Sequence, residues 1–331
     1  MSNQTPSHHR SLHEDSRDIK SAVDSESLLA IQERYAAHIR LLLNDSNMND
    51  AVFDLSKVYP DTADIEELKF QVDDLKKCLD SLRPIPPEQL EKIRESFDTK
   101  YTYDSNRIEG NTLTLHETAM VILHGITIGG KPLKDHLEAI NHRDALVFVR
   151  ELVEHGTALT PRALMNIHSI ILSGIDRNNA GRYRSARIHV TGSEHVFPNP
   201  VKVPDLMDAF FEEYNTKKET EHPVVFSARM HAGLVNIHPF ADGNGRSARL
   251  LMNHFLLSQG YVIANISGDK SQRGEYYAAL EATHTDESMH DFIRFILKTE
   301  KTSLIEYMAM LDPDISQRRG GYFLERISPF L

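Results

Sequence analysis

Cysteine and long apolar stretches are nearly absent from this chain of 331 residues. The single cysteine, Cys78, excludes an intrachain disulfide, suits a reducing compartment and is interpreted as a small helix residue. No apolar run reaches the roughly 18 residues that a membrane span requires, and residues 1–10 lack the apolar core of a signal peptide. We therefore expect a cytoplasmic protein without a membrane partner.

Basic charge is scarce as well. Lysine and arginine number 37 against 48 aspartates and glutamates, so the formal net charge is −11. A protein that binds duplex nucleic acid would carry a basic face, so no nucleic-acid partner is expected.

Strand patterns are few and short, and no repeat of fixed period occurs. Apolar residues instead recur at intervals of three and four over residues 65–82, 137–153 and 292–311. This spacing places apolar side chains on one face of a helix. The fold class that we predict is therefore mostly α.

The most informative segment is the motif of residues 238–249, His-Pro-Phe-Ala-Asp-Gly-Asn-Gly-Arg-Ser-Ala-Arg. It joins a histidine, a carboxylate and a glycine-rich turn to the start of an apolar helix that Gly260 is expected to end. The turn can aim backbone N–H groups at a ligand, and a helix N-terminus already favours an anion.

Two arginines in the motif indicate a polyphosphate ligand. Arg246 and Arg249 are three apart and share one helix face near its N-terminus, where each cation opposes the helix dipole by about 0.3–1 kcal/mol. A triphosphate bound between them would offset that cost. Asp242 is then placed to hold a divalent metal on the phosphates, and His238 to act as general base.

Each of these residues also has an ordinary structural interpretation. A histidine beside an apolar run is usually structural, Asp242 or Asn244 is a suitable helix cap, and arginines on a helix commonly face solvent. Function is favoured because a base, a carboxylate, an anion-binding turn and two guanidiniums fall within one short segment.

The motif resembles the signature of Fic-domain proteins, His-x-Phe-x-(Asp/Glu)-Gly-Asn-Gly-Arg-x-x-Arg, and every fixed position is filled. The resemblance implies a Fic-fold helical bundle that transfers AMP from ATP to a Ser, Thr or Tyr hydroxyl of a target protein. It implies that His238 deprotonates the hydroxyl and that Asp242 binds Mg²⁺ or Mn²⁺. The nucleotide-binding residues that it carries over are Asp242, Gly243, Asn244, Gly245, Arg246, Ser247, Ala248 and Arg249.

Gly245 distinguishes two reactions within this resemblance. In the related Doc kinases a lysine at this place favours transfer of the γ-phosphoryl group. A glycine leaves room for attack at the α-phosphate, so nucleotidyl transfer is the expected chemistry.

A distant segment, residues 103–111, resembles the family's inhibitory pattern (Ser/Thr)-x-x-x-Glu-(Gly/Asn). Ser105 and Glu109 lie four apart, hence on one face of a short helix that Gly110 can end. In similar proteins this glutamate pairs with the second motif arginine, here Arg249. The pairing draws the guanidinium away from the γ-phosphate, so the triphosphate binds in the wrong position. The resemblance therefore implies autoinhibition within one chain.

Residues 186–200, the flap segment, alternate in polarity before Gly192 and are bracketed by Gly and Pro, which predicts a short β-hairpin. In the family this hairpin is the flap, which covers the nucleotide and holds the target segment by strand addition. The expected nucleotide contacts are Thr191, Gly192, Ser193 and Glu194. A generic hairpin without this role is the alternative.

Residues 273–281 resemble the part of the family that contacts adenosine, and an aromatic ring offers a base a stacking surface. Tyr276 and Tyr277 are the candidates, although either ring also suits the core. Similar proteins often carry asparagine where this chain has His284, so the base or ribose contact at that place is not carried over.

Composition divides the chain into four parts. Residues 1–23 are polar and expected to be disordered. Residues 24–95 are predicted to form an additional N-terminal helical region, broken at Pro60 and at residues 83–87. The Fic resemblance covers residues 96–311, and residues 312–331 are interpreted as a C-terminal tail.

Other functions stay open. The same site is expected to remove AMP from a modified target if Glu109 positions a water. Permanent inhibition by Glu109 would instead leave a nucleotide-sensing interaction module with negligible turnover. A zinc or iron hydrolase is less favoured, because its conceivable ligands His222, His231, His238 and Asp242 offer no helical ligand pair apart from the last two.

The expected partners follow from these interpretations. They are ATP and a target protein bound along the flap segment, with self-modification as the expected assay signal. A separate antitoxin partner is not expected because the inhibitory segment lies in the same chain, and a homodimer is left open.

Overall fold

The computed structural model describes residues 59–190, 193, 195–285 and 288–311, together with positions 30, 33 and 37, which are helical and exposed. Within residues 59–311, the described positions form ten α-helices, one 3₁₀ turn at Pro200–Lys202 and no strand. The predicted mostly α class is confirmed. The helices are α1 (Ile65–Asp80), α2 (Pro87–Ile108), α3 (Leu115–His124), α4 (Leu133–Glu154), α5 (Pro161–Ile171), α6 (Val203–Lys217), α7 (Pro223–Ile237), α8 (Asn244–Ser258), α9 (Lys270–Thr285) and α10 (His290–Leu311).

Helix α8 lies at the centre of the bundle and packs against α7, α4, α5 and α2. Apart from Gly245, every residue from Asn244 to Leu256 is buried. Its second half is largely apolar, as expected of a helix that is buried on all sides. Its first two turns are polar although buried, so their side chains need partners elsewhere in the protein.

Helix α2 brings residues 103–108, which resemble the inhibitory pattern, to α8. It begins at Pro87, directly after the proline-rich break, and ends at Ile108. The sequence predicts a short helix around Ser105, whereas the structure shows the last two turns of a helix of 22 residues. Gly110 follows with φ of 96°, as predicted for the helix stop.

The turn between α7 and α8 carries the first half of the motif. Helix α7 ends at Ile237, and residues 238–243, here called the motif loop, lead directly into α8. Because α7 and α8 also pack along each other, both ends of the motif loop are held.

The predicted β-hairpin is not confirmed, because the described residues of the flap segment, 186–190, 193 and 195–200, contain no strand. Among the described helices, none combines the length and the apolar character needed to cross a lipid bilayer.

Candidate active site

The motif loop is shaped by Gly243 and Asn244. Gly243 takes a left-handed conformation with φ of 77°, which favours glycine because a Cβ would be strained there. The Asn244 side chain accepts a hydrogen bond from the Phe240 N–H at 2.9 Å and donates one to the Phe240 carbonyl at 2.9 Å. These bonds close the loop onto the first turn of α8, whose leading N–H groups have no acceptor within the helix.

His238 is the only non-glycine residue with a positive φ, 50°, in the described part of the chain. Such a conformation costs of order 1–3 kcal/mol and persists only where the surroundings impose it. The His238 N–H donates to the Leu234 carbonyl at 2.9 Å. The imidazole Nδ1 lies 3.1 Å from the Val235 carbonyl, which assigns the proton to Nδ1 and leaves Nε2 as an acceptor.

Burial keeps the His238 imidazole neutral. Burial lowers the pKa of His238 to about 4; the Val235 carbonyl and Glu109 oppose the shift, while Arg184 and His195 add to it. The ring of Phe197, from the flap segment, lies 4.5 Å from the imidazole, measured between ring centroids. A neutral ring with a free Nε2 is the form that a general base requires.

Asp242 lies at the exposed edge of the motif loop, with 53% of its side chain accessible. Its Oδ1 accepts a hydrogen bond from the Gly243 N–H at 2.6 Å and lies 3.5 Å from Arg246 Nη2. Mg²⁺ is commonly bound by one or two carboxylates together with substrate phosphates and waters. The single exposed carboxylate of Asp242 therefore fits a metal that is bound jointly with a nucleotide.

Arg246 is buried, with 2% of its surface exposed. Its Nη1 lies 3.2 Å from Glu138 Oε1, an ion pair by distance, but neither Nε nor Nη1 has a hydrogen-bond partner within the described residues. Buried donors without acceptors are costly, so this guanidinium stands to gain from a bound anion.

Arg249 is also buried, and each nitrogen of its guanidinium has a partner. Nε donates to Ser105 Oγ at 3.0 Å, and Nη2 donates to the Ser105 carbonyl at 2.9 Å and to Glu109 Oε1 at 2.7 Å. Nη1 lies 3.5 Å from the Tyr276 hydroxyl. Burial alone lowers the pKa of Arg249, but the charge of Glu109 reverses this and raises it above its ordinary value. Residues at the end of α2 thus accept hydrogen bonds from Arg249, the arginine that the resemblance assigns to the triphosphate.

Gly245 faces this ion pair. A Cβ at this position would lie 2.5 Å from Glu109 Oε1 and 3.1 Å from Arg249 Nη1. Glycine is therefore needed for the Glu109–Arg249 contact as observed, a reason that the sequence did not indicate. The side chains of Ser247 and Ala248 are fully buried, and their part in nucleotide binding stays a prediction.

The flap segment lies against α9. Ser193 Oγ donates to Glu281 Oε2 at 2.8 Å, and the rings of His195 and His284 are 4.2 Å apart. The other predicted flap contacts, Thr191, Gly192 and Glu194, lie outside the described residues.

The two candidate tyrosines on α9 have different surroundings. Tyr276 is buried, with its hydroxyl 3.2 Å from His231 Nε2 and 3.5 Å from Arg249 Nη1. Tyr277 is 44% exposed and donates to the Ile108 carbonyl at 3.2 Å. Tyr277 therefore has ring surface available for a ligand, whereas Tyr276 supports Arg249; a nucleotide contact by either one stays a prediction.

The other histidines considered as metal ligands contact protein groups. His222 Nε2 lies 3.0 Å from Asp73 Oδ1, and its Nδ1 accepts from the Val224 N–H at the start of α7. His231 is buried beside Tyr276, and burial lowers its pKa to about 3. Within the ranges that the structure describes, no group of three or more His, Cys, Asp or Glu side chains could hold a metal.

Three polar residues of the site were not assigned from the sequence: Glu138, His168 and Arg184. His168 Nε2 donates to the Asp242 carbonyl at 2.9 Å, its Nδ1 accepts from the Gly181 N–H at 3.0 Å, and its ring stacks on Phe240 at 3.7 Å. These residues reach the motif only through the packing of other segments on α8. The one available signal was the Gly-Arg-Tyr-Arg run that ends at Arg184.

Comparison with known proteins agrees with this geometry. The model of the Fic/DOC family matches residues 158–256, which include the whole motif. A curated relative named protein adenylyltransferase Fic, from Nematostella vectensis, is 35% identical over 245 residues, which are 72% of this chain and 56% of that protein. The protein of the same name from Drosophila grimshawi is 34% identical over 215 residues, 64% of this chain and 44% of that protein. This chain thus spans about half the length of these relatives.

Solved structures show the same fold. A fragment of Fic-1 from C. elegans, residues 134–508, superposes with a TM-score of 0.68 at 25% identity and covers 86% of this chain and 83% of the fragment. A Fic-domain-containing signalling protein from Bacteroides thetaiotaomicron gives a TM-score of 0.66 at 27% identity, covering 73% of this chain and 98% of that one. The helical bundle, with the motif at the start of its central helix, is that of a Fic domain. This chain belongs to the Fic/DOC family.

Proposed function

We propose that this chain is a protein adenylyltransferase, which moves AMP from ATP to a Ser, Thr or Tyr hydroxyl of a target protein, and that Glu109 inhibits it. The observation that carries the proposal is the 2.7 Å contact between Glu109 and Arg249, made beside a base-competent His238. The name shared by the curated relatives supports the reaction class.

The proposed reaction uses His238 as the base. The target hydroxyl gives its proton to Nε2 while its oxygen attacks the α-phosphorus of ATP. The bond from the α-phosphorus to the bridging oxygen breaks, so the products are the AMP ester of the target and pyrophosphate. A nearby triphosphate raises the pKa of His238 from the value of about 4 that burial imposes, which makes the ring a stronger base in the complex.

Phosphate binding is assigned to the start of α8. The leading N–H groups of the helix and the Arg246 donors that lack a hydrogen-bond acceptor suit the oxygens of a triphosphate. Asp242 would hold Mg²⁺ or Mn²⁺, which when bound neutralises phosphate charge and stabilises the leaving pyrophosphate. Arg249 completes the set once Glu109 releases it.

Inhibition follows from this assignment. As long as Glu109 and Ser105 accept its hydrogen bonds, Nε and Nη2 of Arg249 are not available to the γ-phosphate, and only Nη1 is not held by residues 105 and 109. A charge-assisted hydrogen bond contributes about 1.5–3 kcal/mol, so loss of Glu109 raises the rate by about one to two decades.

Removal of AMP by the same site is the second candidate function. The Glu109 side chain is 32% exposed, and only its Oε1 is engaged by Arg249. The other oxygen can therefore position a water for attack on an AMP-modified hydroxyl. Release of AMP from a modified target by wild type, but not by Glu109→Gln, would favour this direction.

The reaction class is tested with ATP labelled at the α or at the γ position, Mg²⁺ and the full chain, with self-modification as the signal. Glu109→Gly is expected to incorporate α label only, and Glu109→Gly/His238→Ala none. Glu109→Gly/His116→Ala, which changes an exposed histidine on α3, is the matched control and retains activity. Incorporation of γ label would indicate a kinase, and binding of ATP without any incorporation would indicate a sensing module.

A further inference from the structure

Arg184 is a buried cation, 4% exposed, at the entrance to the flap segment. Its guanidinium donates to three main-chain carbonyls: Nε to His238 at 2.7 Å, Nη1 to Ala186 at 3.0 Å and Nη2 to Pro198 at 2.6 Å. Its own N–H donates to the Pro239 carbonyl at 2.9 Å. One residue therefore joins the motif loop to both ends of the flap segment.

The chemistry of this junction requires arginine. All the hydrogen-bond partners of the Arg184 side chain are main-chain carbonyls, and burial lowers the pKa of its guanidinium. A planar guanidinium presents donors in several fixed directions, so it reaches three separate carbonyls. A lysine ammonium is a compact point charge, and a glutamine amide donates from a single nitrogen.

The contacts of Arg184 act on the conformation of His238. That residue is held in the left-handed region, with φ of 50°, by bonds on both of its peptide groups. Leu234 accepts from its N–H, and Arg184 donates to its carbonyl. On the side of the flap, the Phe197 ring packs on the imidazole one residue before Pro198, which Arg184 also holds.

We propose that Arg184 is a positioning residue that couples the flap segment to the catalytic base, a proposal that rests on the function proposed above. A target segment bound along the flap is set relative to His238 because one guanidinium fixes both. The phosphate-binding turn is closed by other bonds, those between Asn244 and Phe240. Arg184 therefore governs turnover rather than binding of ATP.

The test compares Arg184→Gln and Arg184→Lys in the Glu109→Gly background of the full chain, with α-labelled ATP and self-modification as the readout. Arg184→Gln is expected to lower kcat by about 10- to 100-fold, as misplacement of reacting groups by an ångström does, with KM for ATP nearly unchanged. Arg184→Lys, which keeps the charge and part of the donor set, is expected to be intermediate. Arg182→Gln, an exposed neighbour, is the matched control.

Hydrogen exchange supplies a readout that does not depend on turnover. In Arg184→Gln the amides of residues 195–200 and of the motif loop should exchange faster together, whereas those of α10 should not change. An unchanged kcat in an active background overturns the proposal, as does a parallel loss of kcat, ATP affinity and thermal stability in both variants. If Glu109→Gly itself transfers no AMP, the proposed function fails, and hydrogen exchange alone tests the coupling. Faster exchange in both segments then supports the coupling, and unchanged exchange overturns it.

Discussion

The proton on the His238 ring is fixed by its own helix. The Val235 carbonyl, 3.1 Å from Nδ1, takes the hydrogen bond of that nitrogen, so Nε2 is the only ring atom left to accept a proton from a substrate. Burial is the largest influence on the ring and lowers its pKa. The proposed base therefore depends on three features of His238: its backbone conformation, its tautomer and its burial.

A pH profile of Glu109→Gly tests this description. Because burial lowers the pKa of His238 to about 4, the free enzyme keeps the base deprotonated through the neutral range. We expect kcat/KM to stay flat from pH 8 down to mildly acidic pH and to fall only as the ring is protonated near pH 4, with folding checked by circular dichroism. An acid limb near pH 6.5, the value of an exposed histidine, would contradict the description.

Ser105 makes a separable contribution to the hold on Arg249. Ser105→Ala removes the Oγ acceptor of Nε but keeps the Ser105 carbonyl and Glu109. One hydrogen bond contributes about 0.5–1.5 kcal/mol net, so AMP incorporation should rise by about two- to twelvefold, and by less than in Glu109→Gly. In the Glu109→Gly background the same substitution should add little. A Ser105→Ala variant as slow as wild type would show that this bond has no part in inhibition.

At this scale the motif indicated contiguous residues and the resemblance added the distant Ser105 and Glu109, whereas Glu138, His168 and Arg184 were missed. His238, Asp242, Arg246 and Arg249 stand out because they share one short segment with the glycines. His168 reaches the Asp242 carbonyl from 74 positions away, and a single polar residue in an amphipathic helix carries no pattern. Such contacts exist only after the helices have packed.

The end of α2 is tied to the loop between α8 and α9. Asp104 Oδ1 accepts from the Gly268 N–H at 2.9 Å, and its Oδ2 accepts from Asn265 Nδ2 at 2.7 Å. Burial raises the pKa of Asp104, although these two bonds oppose the shift. The neighbouring Ser105 is thereby held in register with Arg249.

Asp104→Ala should loosen this end of α2. It removes two acceptors and leaves the Gly268 N–H without a partner, so the free energy of unfolding should fall by about 1–3 kcal/mol in urea titrations. Amides of residues 104–110 should exchange faster, and AMP incorporation should rise modestly. Asp104→Asn, which keeps one carbonyl acceptor, should show smaller changes. Unchanged exchange over residues 104–110 would rule out this role for Asp104.

Helix ends were predictable where glycine or proline marks them. Gly110 and Gly260 follow α2 and α8 with positive φ, and α2 starts just after the proline-rich break. The length of α2 was not predictable, because its buried face includes Thr99, Thr102, Asp104, Ser105 and Asn106. Polar residues are stable there only through tertiary hydrogen bonds, such as that from Asn106 Nδ2 to the Glu138 carbonyl at 3.3 Å. The pattern of apolar residues therefore predicts a shorter helix than the α2 observed.

For the whole molecule, buried titratable groups determine how stability depends on pH. Burial lowers the pKa of His168 to about 4 and that of His231 to about 3, and it also lowers the pKa of His142 well below its ordinary value. Below pH 6.5 these histidines are protonated in the unfolded chain but stay neutral in the folded protein, so the free energy of unfolding falls as pH decreases. Burial raises the pKa of Glu300 to about 8, so the folded state holds an extra proton and stability falls as pH rises from 4.5 to 8.

We therefore expect the free energy of unfolding to be largest near pH 6.5 to 7. Three or more histidines outweigh one glutamate below that range, and each fully titrating group changes stability by about 1.4 kcal/mol per pH unit. Urea titrations at pH 5, 6.5 and 8 measure the curve. Glu300→Gln, which keeps an acceptor for the Val262 N–H, should remove the decline at pH 8 and steepen the rise between pH 5 and 6.5, where Glu300 opposes the histidines in wild type. A curve that rises steadily to pH 8 in wild type would contradict this assignment.

The central claim is that Glu109 restrains an otherwise complete nucleotidyl transfer site by holding Arg249. Its most direct measurement is the ratio of initial rates at which Glu109→Gly and wild type incorporate AMP into themselves at saturating ATP and Mg²⁺. We predict a ratio of at least about ten, since the lost contact is a charge-assisted hydrogen bond. Equal rates in the two proteins, with both folded and both binding ATP, would contradict the account.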